Sequence, residues 1–327
     1  MALDKIGLKI LWILDHKARI PLSELAKLVG LSKQNINYRL KKLIQDNYLL
    51  GFTTLINFHK LGYIGYRIYF RYRNITEDKE KEFINYLKNN DHIVWFVSTS
   101  GSWDLEVLFI AENPIQFNNI FKKIKEDYGQ YFSKYNTSTS IVNYHFNRDY
   151  LINKKRELFS HVYYGLEPKK EELDELDIKI LSEIAKNCRQ SNQEIGKKLK
   201  VNYHTIKERL KKLENKKIIQ QYVAEINLNK TNIKYCKAII RLNNPTKEEE
   251  RKIYSFCYQY NFVTYLIEVL GEWQFEIEAE LESQNQLAEL LRKIRNEFPN
   301  QILDYDILQI TKRHKLNYFP IKQFIKT

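Results

Sequence analysis

The stretch 32–43 reads SKQNINYRLKKL, and 170 residues later 202–213 reads NYHTIKERLKKL. The closing Arg-Leu-Lys-Lys-Leu is the same in both. Ile36, Leu40 and Leu43, and likewise Ile206, Leu210 and Leu213, recur at i, i+4 and i+7. On a helix turning about 100° per residue they form one narrow apolar stripe. The opposite face carries Gln34, Asn37, Tyr38, Lys41 and Gln45 in the first copy, and His204, Lys207, Glu208, Lys211 and Asn215 in the second. Lys33, Arg39 and Lys42 flank the first face; Tyr203, Arg209 and Lys212 flank the second. Amides, rings and ammonium groups can reach base edges and phosphates in a major groove. The same pattern also describes an ordinary solvated face, so its surroundings must decide.

Those surroundings favour a polyanion partner. The chain has 327 residues, enough for two or more domains, and 53 Lys and Arg against 40 Asp and Glu, a net charge of +13. An apolar content of 43% with few Gly or Pro describes a folded chain. Cys188, Cys236 and Cys257 are odd in number and scattered, which argues against a disulfide framework or zinc ribbon. The seven histidines show no metal spacing, so no metal or cofactor is expected. No apolar run is long enough to span a bilayer, and charged residues interrupt the N-terminal apolar run. No membrane contact and a cytoplasmic location are therefore expected.

Upstream of the first stretch, 4–16 places Ile6, Ile10, Ile13 and Leu14 on one helical face. Pro21 suits the start of a second helix, Gly30 ends it, and Ser32 is a good N-cap for the third. Three short helices with a tight turn between the last two match a helix-turn-helix. Downstream, 49–57 and 66–73 read as strands, 76–89 as a helix, 93–100 and 103–111 as a hairpin, 114–128 as a helix and 135–145 as a strand. The order βαββαβ predicts a ferredoxin-like sandwich. The stretch 146–172 shows no clear period. It is expected to be a linker with one helical turn around 151–159. The whole pattern then repeats at the same offset: LDKIGLKIL at 3–11 becomes LDELDIKIL at 173–181, Arg19 pairs with Arg189, and Gly101-Ser102-Trp103-Asp104 pairs with Gly271-Glu272-Trp273-Gln274. This is a tandem duplication and not a solenoid.

The helix pair, the I-x-x-R-L-K-K-L helix and the ferredoxin-like unit with its G-S-W-D-L turn resemble the Lrp/AsnC (feast/famine) transcription regulators, here as two fused units. Copy one departs slightly, with Gly7 where copy two has Asp177. The resemblance implies an α+β fold: two repeats of a winged-type helix-turn-helix followed by a ferredoxin-like domain, joined as an intrachain pseudo-dimer with sheets face to face. The expected division is helix-turn-helix 1–48, ferredoxin-like 49–145, linker 146–172, helix-turn-helix 173–218, ferredoxin-like 219–312 and basic tail 313–327. The implied function is sequence-specific binding of double-stranded DNA in transcription regulation, with an amino acid or similar small molecule as effector and further homo-oligomerisation open.

The expected DNA-reading residues are Lys33, Gln34, Asn37, Tyr38, Arg39, Lys41, Lys42, Tyr203, His204, Lys207, Arg209, Lys211 and Lys212. Arg39 and Arg209 are open between clamping a phosphate and holding an acid within the module. Glu208 is expected to pair with Lys211 or Lys212. The two faces differ, so unlike half-sites are expected. For an effector, Gly101 and Gly271 can offer backbone N–H groups to a carboxylate and Asp104 can meet an ammonium, with Thr137 and Thr139 lining the same pocket. Equally, the glycines serve tight turns and Trp103 and Trp273 are core. No catalytic residues and no enzymatic activity are expected. Two alternatives stand beside this reading. One is an enzyme resembling siroheme decarboxylases, with His92, His145, Arg67 and Arg71 as candidates; the other is a nonspecific architectural DNA-binding protein.

Overall fold

The computed structural model describes residues 3–156, 161–165 and 170–319. In repeat 1, helices α1 (Lys5–His16), α2 (Leu22–Val29) and α3 (Lys33–Gln45) are followed by β1 (Leu49–Ile56), β2 (Ile64–Tyr72), α4 (Glu77–Asn89), β3 (Ile93–Gly101), β4 (Leu105–Ala111), α5 (Pro114–Tyr128) and β5 (Phe132–Phe146). A short strand β6 (His161–Gly165) comes next. Repeat 2 runs α6 (Glu175–Lys186), α7 (Asn192–Leu199), α8 (Tyr203–Asn215), β7 (Ile219–Ile226), β8 (Lys234–Leu242), α9 (Lys247–Gln259), β9 (Val263–Leu270), β10 (Phe275–Leu281), α10 (Gln284–Glu297) and β11 (Ile302–Leu316). Capping residues explain where the helices begin. The Asp4 carboxylate accepts from Gly7 N, the Ser32 hydroxyl from Asn35 N, and the Asp174 carboxylate from Asp177 N. The α+β fold class read from the sequence is the one observed.

The two ferredoxin-like sheets do more than face each other. Each contributes four strands, in the orders β5-β2-β4-β3 and β11-β8-β10-β9. β3 pairs antiparallel with β11, and β9 with β5, so eight strands close into one ring and β6 extends β5. Closure removes the exposed edges that two separate sheets would keep. α4 and α5 pack on the outside, with Phe83 and Ile124 in one core with Phe70 and Phe109, and α9 and α10 do the same through Phe256 and Ile294 with Ile240 and Ile277. Between the sheets lie Tyr69, Trp103, Ile239, Ile267, Trp273 and Leu308.

Ring closure accounts for the two glycines. At Gly101, φ is +127°, and an added Cβ would sit 2.5 Å from Ile307 O of the facing strand; at Gly271 it would meet Ser138 Cβ at 2.9 Å. Close approach of the other repeat demands glycine at both places. Gly101→Ala is expected to destabilise the fold by about 2 kcal/mol. Urea titration checks this, and a variant indistinguishable from the parent would refute the packing argument.

Two expectations about connecting segments need correction. The stretch 146–172 is not a plain linker: a 3-10 turn at Asp149–Ile152 and the paired strand β6 lie in it. Arg156, within the stretch read as a linker, is buried. It donates to the carbonyls of Asn147, Cys257, Tyr258, Asn261 and Val263, so it caps the end of α9. The boundary set at 313 also falls inside β11, because Arg313, Lys315 and Leu316 pair with β3. Phe159, Lys169 and the tail from 320 lie outside the described residues.

Candidate nucleic-acid interface and the cavity behind it

The helix-turn-helix modules are held by each other's repeats. β1 and β7 pair antiparallel into a two-stranded ribbon, with Phe52 opposite Ala224 and Thr54 opposite Tyr222. α1 packs on β7, and α6 on β1. Arg19 donates to Cys188 O (2.6 Å), Gln190 O (3.1 Å) and Asn192 Oδ1 (2.7 Å); its counterpart Arg189 donates to Ala18 O (2.5 Å) and Ile20 O (3.4 Å). Arg19 stacks over the Tyr222 ring and Arg189 over Phe52, each at 5.2 Å. The hydroxyls of Thr53 and Thr54 donate to Ala185 O and Ile184 O. Two modules are thus fixed in one frame related by a pseudo-two-fold axis. Sequence reasoning paired Arg19 with Arg189 only as repeat equivalents; their reciprocal anchoring gave no local signal.

On this frame α3 buries only Ile36, Leu40 and Leu43, and α8 only Ile206, Leu210 and Leu213. Lys33, Gln34, Asn37, Tyr38, Lys41 and Lys42 are exposed, as are Tyr203, His204, Lys207, Lys211 and Lys212. Tyr38 is 66% exposed, far more than packing would leave a tyrosine.

Arg39 and Arg209 behave differently. Arg39 Nη1 bonds the Asp4 carboxylate (2.7 and 3.0 Å), and Arg209 bonds Asp174 and, at 3.1 Å, Asp177. Both guanidiniums tie the third helix to the N-cap of the first, so they are corrected to anchors within the module. The Gly7 N–H and Arg39 hold the Asp4 carboxyl below its ordinary value. Lys212 turns to Asp177 (3.3 Å) and not to Glu208, because copy two carries an acid where copy one has Gly7.

The expected effector set does not form one site. Thr137 and Thr139 lie on β5 beside the Gly271 turn, while Gly101 packs on β11. The Asp104 carboxylate accepts from Arg71 Nη1 (2.9 Å) and Tyr72 N (2.8 Å), which already neutralise and orient it. Asp104 is therefore corrected from ammonium ligand to turn anchor.

A cavity of about 510 Å³ opens elsewhere, between the two sheets and beneath the ribbon. Trp95, Tyr164, Tyr235, Tyr265 and Tyr318 line it together with Arg67, Arg148, Glu278 and Glu280, and so do the exposed Lys234, Lys312 and Arg313. Of the four residues proposed for an enzyme site only Arg67 lines it. Arg71 goes to Gly101 O and Asp104, and His92 Nδ1 lies 3.2 Å from Ile110 O. His145 is buried against Gln221 Oε1 at 3.1 Å, and burial drops its pKa to about 4. Behind the cavity Lys237 Nζ contacts Glu106 (2.5 Å), Glu276 (2.7 Å) and Glu278 (3.1 Å), and Arg67 contacts Glu106 (2.6 Å).

Two exposed recognition helices on a rigid ribbon, with paired ferredoxin-like sheets behind, define a two-headed helix-turn-helix protein. Residues 3–49 match the winged helix-turn-helix DNA-binding family, and 173–214 the AsnC-type helix-turn-helix domain. The HTH-type transcriptional regulator FL11 of Pyrococcus horikoshii is 30% identical over 122 residues, 37% of this chain and 80% of the relative. The HTH-type transcriptional regulator Ptr1 of Methanocaldococcus jannaschii is 34% identical over 111 residues, 34% and 74% of the two chains. The chain belongs to the Lrp/AsnC family, as a tandem fusion of two units.

Over its full length the chain shares its fold with the siroheme decarboxylase NirDL, with a TM-score of 0.62, 15% identity, and coverage of 98% of this chain and 97% of that one. This corrects the expectation that excluded an enzyme: the whole two-unit arrangement is shared with a siroheme decarboxylase, whereas the regulators named above each match about one unit. Among the described residues no helix is long and apolar enough to cross a membrane.

Proposed function

We propose that this chain is a sequence-specific DNA-binding transcription regulator whose two unlike recognition helices read an asymmetric site. The observation that carries the reading is the pair α3 and α8: each buries a three-residue stripe and presents its amide, ring and ammonium face to solvent from one shared frame. Gln34 and Asn37 suit adenine bidentately; His204 and Lys207 offer a different pattern, beside the exposed acid Glu208. Lys33, Lys41, Lys42 and Lys211 serve phosphates. Membership of a family whose relatives are named transcriptional regulators supports the same reading.

Binding-site selection with the purified chain at two salt concentrations tests it. The expected product is a bounded site with two dissimilar half-sites, spaced by a whole number of helical turns, surviving moderate salt. A perfect palindrome would refute the unlike half-sites. Binding along any sequence, lost steeply with salt, would refute the regulator and favour an architectural protein.

The cavity favours a second reading: the chain also holds a small molecule between its halves. A tetrapyrrole, as the name of NirDL suggests, is tested by a visible absorbance band on the purified protein or after adding iron-uroporphyrin III.

A further inference from the structure

We propose that the cavity between the sheets takes a small aromatic carboxylate, an organic anion whose ring lies against the tyrosine walls and whose charge meets cations that the described residues leave unmatched. The inference rests on the reading of the cavity as a small-molecule site and names the class of molecule.

Charge decides the sign of the ligand. Five cations line the cavity, Arg67, Arg148, Lys234, Lys312 and Arg313, against two acids, Glu278 and Glu280. Both acids already have partners. Glu280 accepts from Arg148 Nε (2.8 Å) and Nη2 (2.7 Å) and from the Tyr150 hydroxyl. Glu278 lies 3.1 Å from Lys237 Nζ and accepts from the Tyr235 hydroxyl. Arg148 also bonds the buried Asp15 through Nη1, and its backbone N donates to Asp15 Oδ2 at 2.9 Å. Arg313 pairs with Glu225 at 2.9 Å. Lys234 and Lys312 remain. Both are exposed, and among the described residues no carboxylate forms an ion pair with either. A cleft whose unmatched charge is positive draws anions and turns cations away.

A buried donor supplies the anchor. Arg67 lines the cavity and is only 3% exposed. Its Nη1 donates to Glu106 (2.6 Å) and its Nη2 to Asn143 Oδ1 (3.3 Å), but its Nε has no hydrogen-bond partner. The Glu276 carboxylate, 3.7 Å from that Nε, stands beyond hydrogen-bond reach. A buried N–H without an acceptor is costly, and a carboxylate oxygen is among the strongest acceptors for it. Around it the walls are rings: Trp95, with the Arg67 guanidinium 5.7 Å from its centroid, and Tyr164, Tyr265 and Tyr318. Burial pushes the Tyr164 and Tyr265 phenols well up, so both keep their protons and stay available as donors or as faces for a flat ring. A volume of about 510 Å³ is ample for one or two fused rings. The positions 170 residues before Lys234, Lys312 and Arg313 are Ile64, Val142 and Asn143, so repeat 1 has no matching set of cations.

The test uses the full chain with indole-3-propionate and tryptamine, which share a ring system and carry opposite charges. Calorimetric titration is expected to show the anion binding at least about tenfold more tightly than the cation. Lys234→Gln combined with Lys312→Gln, both at exposed positions, is expected to weaken the anion by about fivefold or more. Lys207→Gln combined with Lys211→Gln removes the same charge from the recognition helix and is expected to leave the anion's affinity unchanged. Equal or tighter binding of tryptamine overturns the proposal, and so does an equal loss in the two double variants, which would trace the preference to the net charge of the chain and not to this cavity. Binding of iron-uroporphyrin III without binding of indole-3-propionate overturns the small aromatic ligand and leaves the small-molecule reading standing. If none of the three molecules binds, both fall.

Discussion

Lys237→Ala is expected to cost about 4 kcal/mol of folding stability, in the range seen when one partner of a buried ion pair is removed. The ammonium lies fully buried within 3.1 Å of Glu106, Glu276 and Glu278, and 3.2 Å from Tyr69 OH. Taking it away leaves three carboxylates with Arg67 as the nearest cation, in a medium where like charges repel strongly. Lys237→Met combined with Glu106→Gln and Glu278→Gln should recover at least half of the loss, because it removes the unmatched charges along with their partner. Denaturant titration of both variants decides the matter. A Lys237→Ala protein within 1 kcal/mol of the parent, a margin about the size of one net hydrogen bond, would mean that the ammonium is not what neutralises the cluster.

The second large effect is acid sensitivity. Burial lowers the pKa of both His59 and His145 to about 4, from an ordinary value of 6.5. Between those limits the unfolded chain binds a proton at each ring and the folded chain does not, so stability falls as the pH falls. Each ring costs about 1.4 kcal/mol per pH unit, and the pair about 3 kcal/mol per unit; the half-buried His314, also lowered to about 4 by burial, adds in the same sense. Glu106, raised by burial, works in the opposite sense and offsets part of this. Asp15 and Glu276, the latter held at about 2 by Lys237 and Arg67 against its own burial, add their losses only below the carboxylate range. The urea midpoint is therefore expected to drop steadily from pH 6.5 to 4. A flat profile there, restored to a slope by neither His59→Gln nor His145→Gln, would show that the two rings are not kept neutral.

Much of this architecture was legible because the chain is its own alignment. The stripe Ile36, Leu40 and Leu43 recurs with its surroundings intact, so each helix and strand could be read twice. What the repeat could not show is how its halves meet. Ring closure by β3 with β11 and by β5 with β9 carries no period, since any strand edge looks open in a sequence. The link from Arg148 to Asp15 joins residues 133 apart, one of them in a stretch without pattern. The cavity left a faint trace: glutamates at 278 and 280 stand where the first copy has Leu108 and Ile110. Acids at alternate positions of a strand whose twin is apolar mark a surface that has stopped being plain core. Arg39 and Arg209 show the reverse case, cations that looked made for phosphate but serve the N-cap acids beside them.

The crossed anchoring of Arg19 and Arg189 makes each reading head depend on the other half's backbone. In an assembly of separate subunits such a bond has to be re-formed after every dissociation, and mixing with a paralogue can replace it. Here both ends sit on one polypeptide, so dilution does not undo the pairing of the two heads.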